Sequence, residues 1–183
     1  MKNILFIVGS LRKQSFNRQL AAMAEKMLSN RYKINYLAFE DVPLMNQDLE
    51  AATPAEVSRV RKEVLAADGI WIFTPEYNFS YPGLLKNLFD WLSRPMDISN
   101  FTNPSVVVGK KVTASGAGGN NQTASCRAKL NELLEFIKMD VMKEPQTGIA
   151  LGVEAWTKGE FNLTEEQVAQ LKGQAERFAE FVG

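Results

Sequence analysis

The sequence has 183 residues, which suits one domain with a full-sized core, and its 45% hydrophobic and 23% charged content is ordinary for a globular protein. Basic and acidic side chains number 21 each, which argues against nucleic acid or an anionic membrane surface as a partner, since both require a basic surface. The chain has no histidine and one cysteine, which excludes histidine-based catalysis and an intrachain disulfide and argues against a metal site.

These features predict a cytoplasmic protein whose chemistry comes from a bound cofactor. No apolar stretch approaches the ~20 residues that a bilayer-spanning helix needs, and the apolar run near the N-terminus is too short for a signal peptide. We expect the one cysteine, Cys126, to pack on a helix beside Ala124 and Ala128 rather than to act as a nucleophile.

The first predicted strand is the continuous apolar run Asn3–Val8, as expected for a strand buried on both faces. A loop rich in Gly, Ser and Arg follows, and then a helix with apolar residues on one face: Leu20, Ala24, Met27 and Leu28. This order is typical of phosphate sites, because a helix N-terminus directs free N–H groups and partial positive charge at an anion.

In that first loop, Ser10, Ser15 and Asn17 can donate hydrogen bonds, and Arg12 offers a charged fork for phosphate oxygens. The alternative is that Ser15 only caps the helix and Arg12 is a solvated surface residue. The spacing fits neither a Walker A motif nor G-x-G-x-x-G, which leaves a mononucleotide or another phosphate-bearing cofactor open.

The next two elements are a strand over Lys33–Phe39 and a helix that Thr53 caps, with Pro54 as its first residue. Val57, Val60 and Val64 form the predicted buried face of this helix, which ends before Gly69. In the intervening loop, Pro43–Met45 is apolar and could line a site, line a subunit contact or pack against the core.

The central part of the chain combines an apolar strand, Gly69–Phe73, with a polar and aromatic loop, Thr74–Tyr81. An amphipathic helix follows, with Leu85, Leu88, Phe89 and Leu92 on one face. The loop is longer than the ~2–6 residues usual in α/β units, which favours a functional role over an ordinary connection. Its aromatic surface, amides and backbone N–H groups suit a planar heterocycle.

A third loop, Ser115–Asn121, follows the fourth predicted strand, Lys111–Ala114. Its three glycines would let the backbone approach a flat ligand closely, and the alternative is a flexible turn. Before this strand, Met96–Ser105 is polar and irregular.

The remaining elements are two helices and a short strand. Leu130, Leu133, Leu134 and Ile137 mark a helix, and a fifth strand is predicted over either Asp140–Lys143 or Thr147–Leu151. A capping box at Thr164–Gln167 begins a final helix whose predicted buried face is Val168, Leu171, Ala175, Phe178 and Val182.

The alternation of strands and helices predicts a single α/β domain over residues 1–183. We expect a doubly wound, five-stranded parallel sheet with strand order 2-1-3-4-5 and helices on both faces. The loops after strands one, three and four would then converge at the switch point where such sheets bind ligands.

These loops resemble those of the NADPH-dependent FMN reductase family, which has a flavodoxin-like fold and includes quinone, azo-dye and chromate reductases. The run Gly9-Ser10-Leu11-Arg12, with Ser15 and Asn17, is similar to the family's FMN phosphate loop. The run Pro75-Glu76-Tyr77-Asn78, with Pro82-Gly83, is similar to its central signature, and Ser115–Gly119 to its glycine-bearing loop. The Met96–Ser105 segment departs from the family by looking longer than usual.

The resemblance implies an FMN-dependent oxidoreductase that passes hydride from NADPH or NADH to flavin N5 and then to a quinone-type or other small acceptor. The implied cofactor-binding residues are Ser10, Arg12, Ser15, Phe16, Asn17, Pro75, Glu76, Tyr77, Asn78, Ser115, Gly116, Gly118 and Gly119. Tyr77 and Tyr81 are the implied substrate-binding residues, and no side chain need act as an acid or base.

The resemblance further implies a homodimer or homotetramer, with the helix over Leu84–Trp91 as a candidate contact surface. Two other functional classes remain open at this point. One is an electron carrier like flavodoxin, which serves protein partners, although flavodoxins tend to be acidic and this chain is balanced. The other is a non-catalytic regulator that binds FMN or uses the fold as a scaffold.

Overall fold

The computed structural model describes residues 1–100 and 102–183, in which strands and helices alternate along the chain. The strands are β1 (Lys2–Val8), β2 (Tyr32–Tyr36), β3 (Gly69–Phe73), β4 (Lys111–Gly118), β5 (Asp140–Val141) and β6 (Gly148–Ala150). The helices are α1 (Phe16–Leu28), α2 (Ala55–Ala66), α3 (Gly83–Leu92), α4 (Ala124–Phe136), α5 (Val153–Lys158) and α6 (Glu165–Val182), with a short 3₁₀ turn at Gln47–Leu49.

The strands form one parallel sheet in the order β2-β1-β3-β4-β5, which confirms the predicted topology. Val8, the last residue of β1, pairs with Phe73, the last residue of β3, so the two loops that follow start side by side. This is the edge of the sheet at which doubly wound α/β proteins bind ligands.

Alternating side chains of β1 enter two separate cores, which explains why the whole strand is apolar. Ile4, Phe6 and Val8 pack with α1 and α6 on one face of the sheet. Leu5 and Ile7 pack with α2, α3 and α4 on the other. Helices therefore cover both faces, as predicted from the continuous apolar run.

The fifth strand is divided between the two segments that the sequence left as alternatives. β5 pairs with the beginning of β4 at Lys111 and Val112, whereas β6 pairs with its end at Gly116–Gly118. Both can pair because β4 has eight residues and continues past the end of β3, which has five. The third loop, which follows β4, consequently starts farther along the strand direction than the second loop, which follows β3.

Two local predictions at helix starts were wrong. Thr53 does not cap α2: its hydroxyl donates a hydrogen bond to the carbonyl of Glu50, and Pro54 occupies the cap position without a side-chain bond. Val168 lies in the first turn of α6 and is 41% exposed, because the buried face of that helix begins only at Leu171.

The Thr164 capping box is present as predicted, whereas α5 was not predicted at all. Within Met96–Ser105 no helix or strand occurs among the described residues, and Phe101 lies outside them. Over the described ranges, no helix combines the length and the apolar character needed to cross a bilayer.

Candidate functional site

The first loop leaves β1 at Gly9, whose N–H donates to the carbonyl of Phe73 in β3 over 2.8 Å. A β-carbon at this position would lie 2.7 Å from Leu85 Cδ1, so glycine allows α3 to pack directly against the start of the loop. The first and second loops are therefore held together where they leave β1 and β3.

Ser15 ends the first loop and caps α1. Its buried hydroxyl accepts a hydrogen bond from the N–H of Arg18 at 3.3 Å. Within the described part of the chain, the main-chain N–H groups of Phe16 and Asn17 make no hydrogen bond. Two N–H groups and the positive end of the helix dipole therefore remain available to an anion.

The Arg12 guanidinium lies beside this helix start, over the ring of Phe16 at 4.5 Å from its centroid. Phe16 is itself buried and packs against Phe161 and Trp156, with centroid distances of 5.5 Å and 6.4 Å. This cation–π contact orients an otherwise exposed arginine. Sequence reasoning missed Trp156 and Phe161 because α5 and the segment after it were not assigned.

Asn17 also links the first loop to the third. Its buried side-chain amide donates to the carbonyl of Ala117 over 3.1 Å and accepts from the N–H of Ala117 over 2.8 Å. The side chain therefore fastens α1 to β4, and the main-chain N–H is the group of Asn17 that remains for a ligand.

The second loop is fixed at its root by bonds to β4 and α4. The N–H of Thr74 donates to the carbonyl of Ser115 at 2.9 Å. The Glu76 carboxylate accepts from Asn121 Nδ2 at 2.5 Å and from the N–H of Cys126 at 2.8 Å. Glu76 is thus the anion at the N-terminus of α4, which joins the second and third loops and leaves its main chain for other contacts.

Beyond this root, Tyr77 and Ser80 exchange two main-chain hydrogen bonds of 2.9 Å and 3.0 Å and form a hairpin. The intervening residues, Asn78 and Phe79, both have positive φ, 51° and 58°. Tyr77 is 55% exposed, whereas Tyr81 packs against the core. The two predicted substrate-binding tyrosines are therefore in different environments, and Tyr77 is the one presented to solvent.

The third loop is built differently from the prediction. Gly116 and Gly118 belong to β4, and added β-carbons there would lie 2.3 Å and 2.8 Å from the side chain of Thr123. Their lack of a side chain makes room for Thr123, which is buried in a left-handed turn with φ of 58°. Close approach of this backbone to a flat ligand stays a prediction; of the three glycines, only Gly119 has open space at its β-carbon position.

Ser115 lies inside the molecule rather than at the edge of the sheet. Its hydroxyl donates to Gln174 Oε1 at 2.7 Å and accepts from Trp71 Nε1 at 3.0 Å. Gln174 also bonds the N–H of Thr147 and the carbonyl of Ala114. The polar signal that could have revealed this network is a glutamine on the apolar face of the last predicted helix.

Cys126 lies in a helix, α4, as predicted, and is fully buried. Its thiol donates to the carbonyl of Pro75 at 3.4 Å and lies 3.6 Å from Thr74 Oγ1. Burial, with a smaller contribution from the nearby Glu76 carboxylate, raises the pKa of the thiol to about 11. A protonated, enclosed thiol is a poor nucleophile.

Comparisons with known proteins agree with this geometry. A 2-hydroxy-1,4-benzoquinone reductase of a Burkholderia species is 37% identical over 145 residues, covering 78% of this chain and 75% of the relative. A quinone reductase of Escherichia coli is 33% identical over 184 residues, covering 98% and 94%. The solved structure of FerB, a flavoenzyme NAD(P)H:(acceptor) oxidoreductase from Paracoccus denitrificans, has a TM-score of 0.86 and 30% identity, covering 100% of this chain and 97% of that one.

The sequence model of one family also matches residues 2–154, which include all three loops and the helices and strands that carry them. That match covers most of the chain, and the relatives extend the similarity over nearly its full length. This chain therefore belongs to the NADPH-dependent FMN reductase family.

Proposed function

We propose that this protein binds FMN at the carboxyl edge of its sheet and uses NAD(P)H to reduce a quinone-type acceptor. The observation that carries the proposal is the start of α1, where the N–H groups of Phe16 and Asn17 lie beside the Arg12 guanidinium. Main-chain donors, a helix N-terminus and one arginine together form a site for a phosphate dianion.

The donor set of the first loop fits the FMN phosphate. Ser10 is half-buried and carries a hydroxyl, and Ser15 retains its own proton while its oxygen caps the helix. In this proposal Arg12 supplies the charge, Ser10 and Ser15 supply hydroxyl donors, and Phe16 and Asn17 supply main-chain N–H groups.

The second and third loops fit a planar ring. Pro75, Glu76, Tyr77 and Asn78 would line the ring. Among the described residues, the main-chain N–H groups of Glu76 and Asn78 make no hydrogen bond and remain for the ligand, whereas the main-chain groups of Tyr77 close the hairpin. Hydrogen bonds to β4 and α4 already hold the start of this loop. Gly119 leaves space next to them, while Ser115, Gly116 and Gly118 shape the loop from within the sheet. When bound, FMN supplies the hydride-accepting and hydride-donating chemistry, and the rigid loops orient it and exclude water from its buried side.

The quinone acceptor is proposed from the relatives, two of which are named as quinone reductases. Tyr77 supports this choice, since it presents an exposed aromatic side chain at the hairpin that follows β3. A planar aromatic acceptor can stack on such a surface.

We also propose that the protein is a homodimer or homotetramer that acts in the cytoplasm, where NAD(P)H is available. The apolar residues of α3 are buried in this chain except for the half-buried Leu84, which weakens that helix as a contact surface. Leu44, which is 81% exposed, is a better candidate for a subunit contact. Light scattering coupled to size-exclusion chromatography measures the state directly.

The test of the function is a visible absorption spectrum of the purified protein with FMN, followed by anaerobic addition of NADPH and, separately, NADH. We expect bound flavin whose absorption bands bleach, and recovery of the bands when 1,4-benzoquinone is added. Bound flavin that stays oxidised with both nucleotides would contradict the reductase and favour an electron carrier. No flavin binding would overturn the cofactor assignment.

A further inference from the structure

Phe79 occupies the tip of the second loop in an unusual backbone conformation. With Asn78 it forms the two central residues of the hairpin, and both have positive φ. Two successive positive φ values between bonded strands are typical of a type I′ turn, in which glycine is preferred, especially after asparagine. A bulky residue with φ near 58° is a steric outlier.

The ring of Phe79 buries little of its surface against the rest of the chain, so burial does not offset this strain. It is 67% exposed, so most of its apolar surface faces solvent. Strained residues of this kind are concentrated at ligand-binding positions, where their side chains serve a purpose other than stability. An exposed aromatic ring in a glycine position therefore requires a functional explanation.

The hairpin that carries the ring is also rigid at its base. Tyr77 and Ser80 close it with two main-chain hydrogen bonds, and the carboxylate of Glu76, the residue before Tyr77, is bonded to the start of α4. Because the start of the second loop is fixed by these hydrogen bonds, the ring of Phe79 lies in a defined place at the carboxyl edge of the sheet, near the proposed flavin site. A side chain placed in this way can select a ligand by shape.

We propose that Phe79 determines acceptor specificity by stacking its ring against a planar aromatic acceptor such as a quinone. This inference rests on the proposed function and adds a residue to it. Offset stacking of two rings strengthens binding beyond simple burial, whereas a non-planar inorganic acceptor gains nothing from the ring. The side chain therefore favours aromatic acceptors at the expense of local backbone stability.

The test uses three substitutions in the FMN-loaded enzyme. Phe79→Tyr keeps a ring, Phe79→Leu keeps the strained β-carbon without a ring, and Phe79→Gly removes both. Phe136→Leu is the matched control, because Phe136 is 84% exposed at the far end of α4. KM is measured with 1,4-naphthoquinone and with ferricyanide, and Tm is measured for each variant.

We expect the KM for 1,4-naphthoquinone to rise about three- to tenfold in Phe79→Leu and Phe79→Gly and to stay within twofold in Phe79→Tyr. Ferricyanide reduction should not change. Phe79→Gly alone should also raise Tm, by about 2–4 °C, because it relieves the positive φ. A residue with only a structural role would not produce higher stability together with weaker quinone binding.

Unchanged KM values for 1,4-naphthoquinone in Phe79→Leu and Phe79→Gly would overturn the inference, as would an equal change with ferricyanide. A shift in oligomeric state with unchanged KM would show instead that the ring contacts a second subunit. If the wild-type enzyme reduces neither acceptor, the proposed function fails. The dissociation constant of 1,4-naphthoquinone, measured by tryptophan fluorescence quenching without NAD(P)H, then still tests whether the Phe79 ring contributes to quinone binding.

Discussion

Among single residues, Arg12 gives the most direct test of the phosphate site. Arg12→Ala should weaken FMN binding about ten- to hundredfold, because a charged hydrogen bond to the phosphate is lost. Riboflavin, which lacks the phosphate, should bind the variant and the wild type equally in a fluorescence titration. Lys13→Ala is the control, since Lys13 is an exposed cation in the same loop. Equal FMN affinity in wild type and Arg12→Ala would remove the arginine from the site.

The thiol of Cys126 should make stability depend on alkaline pH. Its pKa is raised by burial to about 11 from an ordinary value near 9, so the folded state holds the proton more tightly than the unfolded state. The stabilisation is complete below pH 9 and is lost as the pH rises to 11. Between pH 8 and 11, the free energy of unfolding should fall about 2 kcal/mol further in wild type than in Cys126→Ala.

This comparison is made by urea denaturation of both proteins at each pH. Lysine and tyrosine titrations occur in both proteins and cancel in the difference. Parallel pH curves would show that burial does not raise the pKa of the thiol.

At the level of elements, Glu76 connects two loops and one helix. Glu76→Ala removes both hydrogen bonds that the carboxylate accepts from Asn121 and from the start of α4. We expect the free energy of unfolding to fall by about 1–2 kcal/mol and Tm by about 2–8 °C. Glu76→Gln should be intermediate, because an amide oxygen can still accept from the helix.

Thermal unfolding followed by circular dichroism measures this effect. Glu132→Ala is the matched control, because Glu132 is an exposed glutamate on the same helix, α4. A Tm for Glu76→Ala equal to that of this control would show that the carboxylate does not cap α4.

Some elements could be predicted from sequence because one physical cause dominates them. β1 and β3 are continuous apolar runs, and burial on both faces leaves few other structures for such runs. The Thr164 capping box is a purely local signal and was predicted correctly. Thr53 presents the same local signal, but its hydroxyl bonds Glu50 instead, so a neighbouring acceptor changed the outcome.

The candidate site was less predictable, because its details depend on contacts between distant parts of the chain. The first loop was predicted from the glycine, serine and arginine that phosphate sites use. The packing of Gly116 and Gly118 against Thr123 was not predicted, because it depends on the Thr123 side chain lying against β4. The role of the Glu76 side chain likewise depends on Asn121, 45 positions away in the chain.

Across the whole molecule, α6 lies beyond residues 2–154 and yet is tied to the centre of the sheet by Gln174. Gln174→Leu would leave the N–H of Thr147 and the carbonyl of Ala114 without this partner in a buried setting. We expect a loss of about 3 kcal/mol in the free energy of unfolding. Chemical denaturation in urea measures it.

Gln170→Leu is the control for this substitution, because Gln170 is an exposed glutamine on the same helix. It should change stability by less than about 0.5 kcal/mol. A similarly small effect for Gln174→Leu would mean that α6 is held by apolar packing alone.

The division of the fifth strand has a consequence for solubility. A sheet edge with a long row of unpaired N–H and C=O groups can recruit a strand of another molecule and begin aggregation. Here β5 has two residues and β6 has three, so each gives an incoming chain very few groups to pair with. The short strands therefore protect this edge of the sheet from edge-to-edge association.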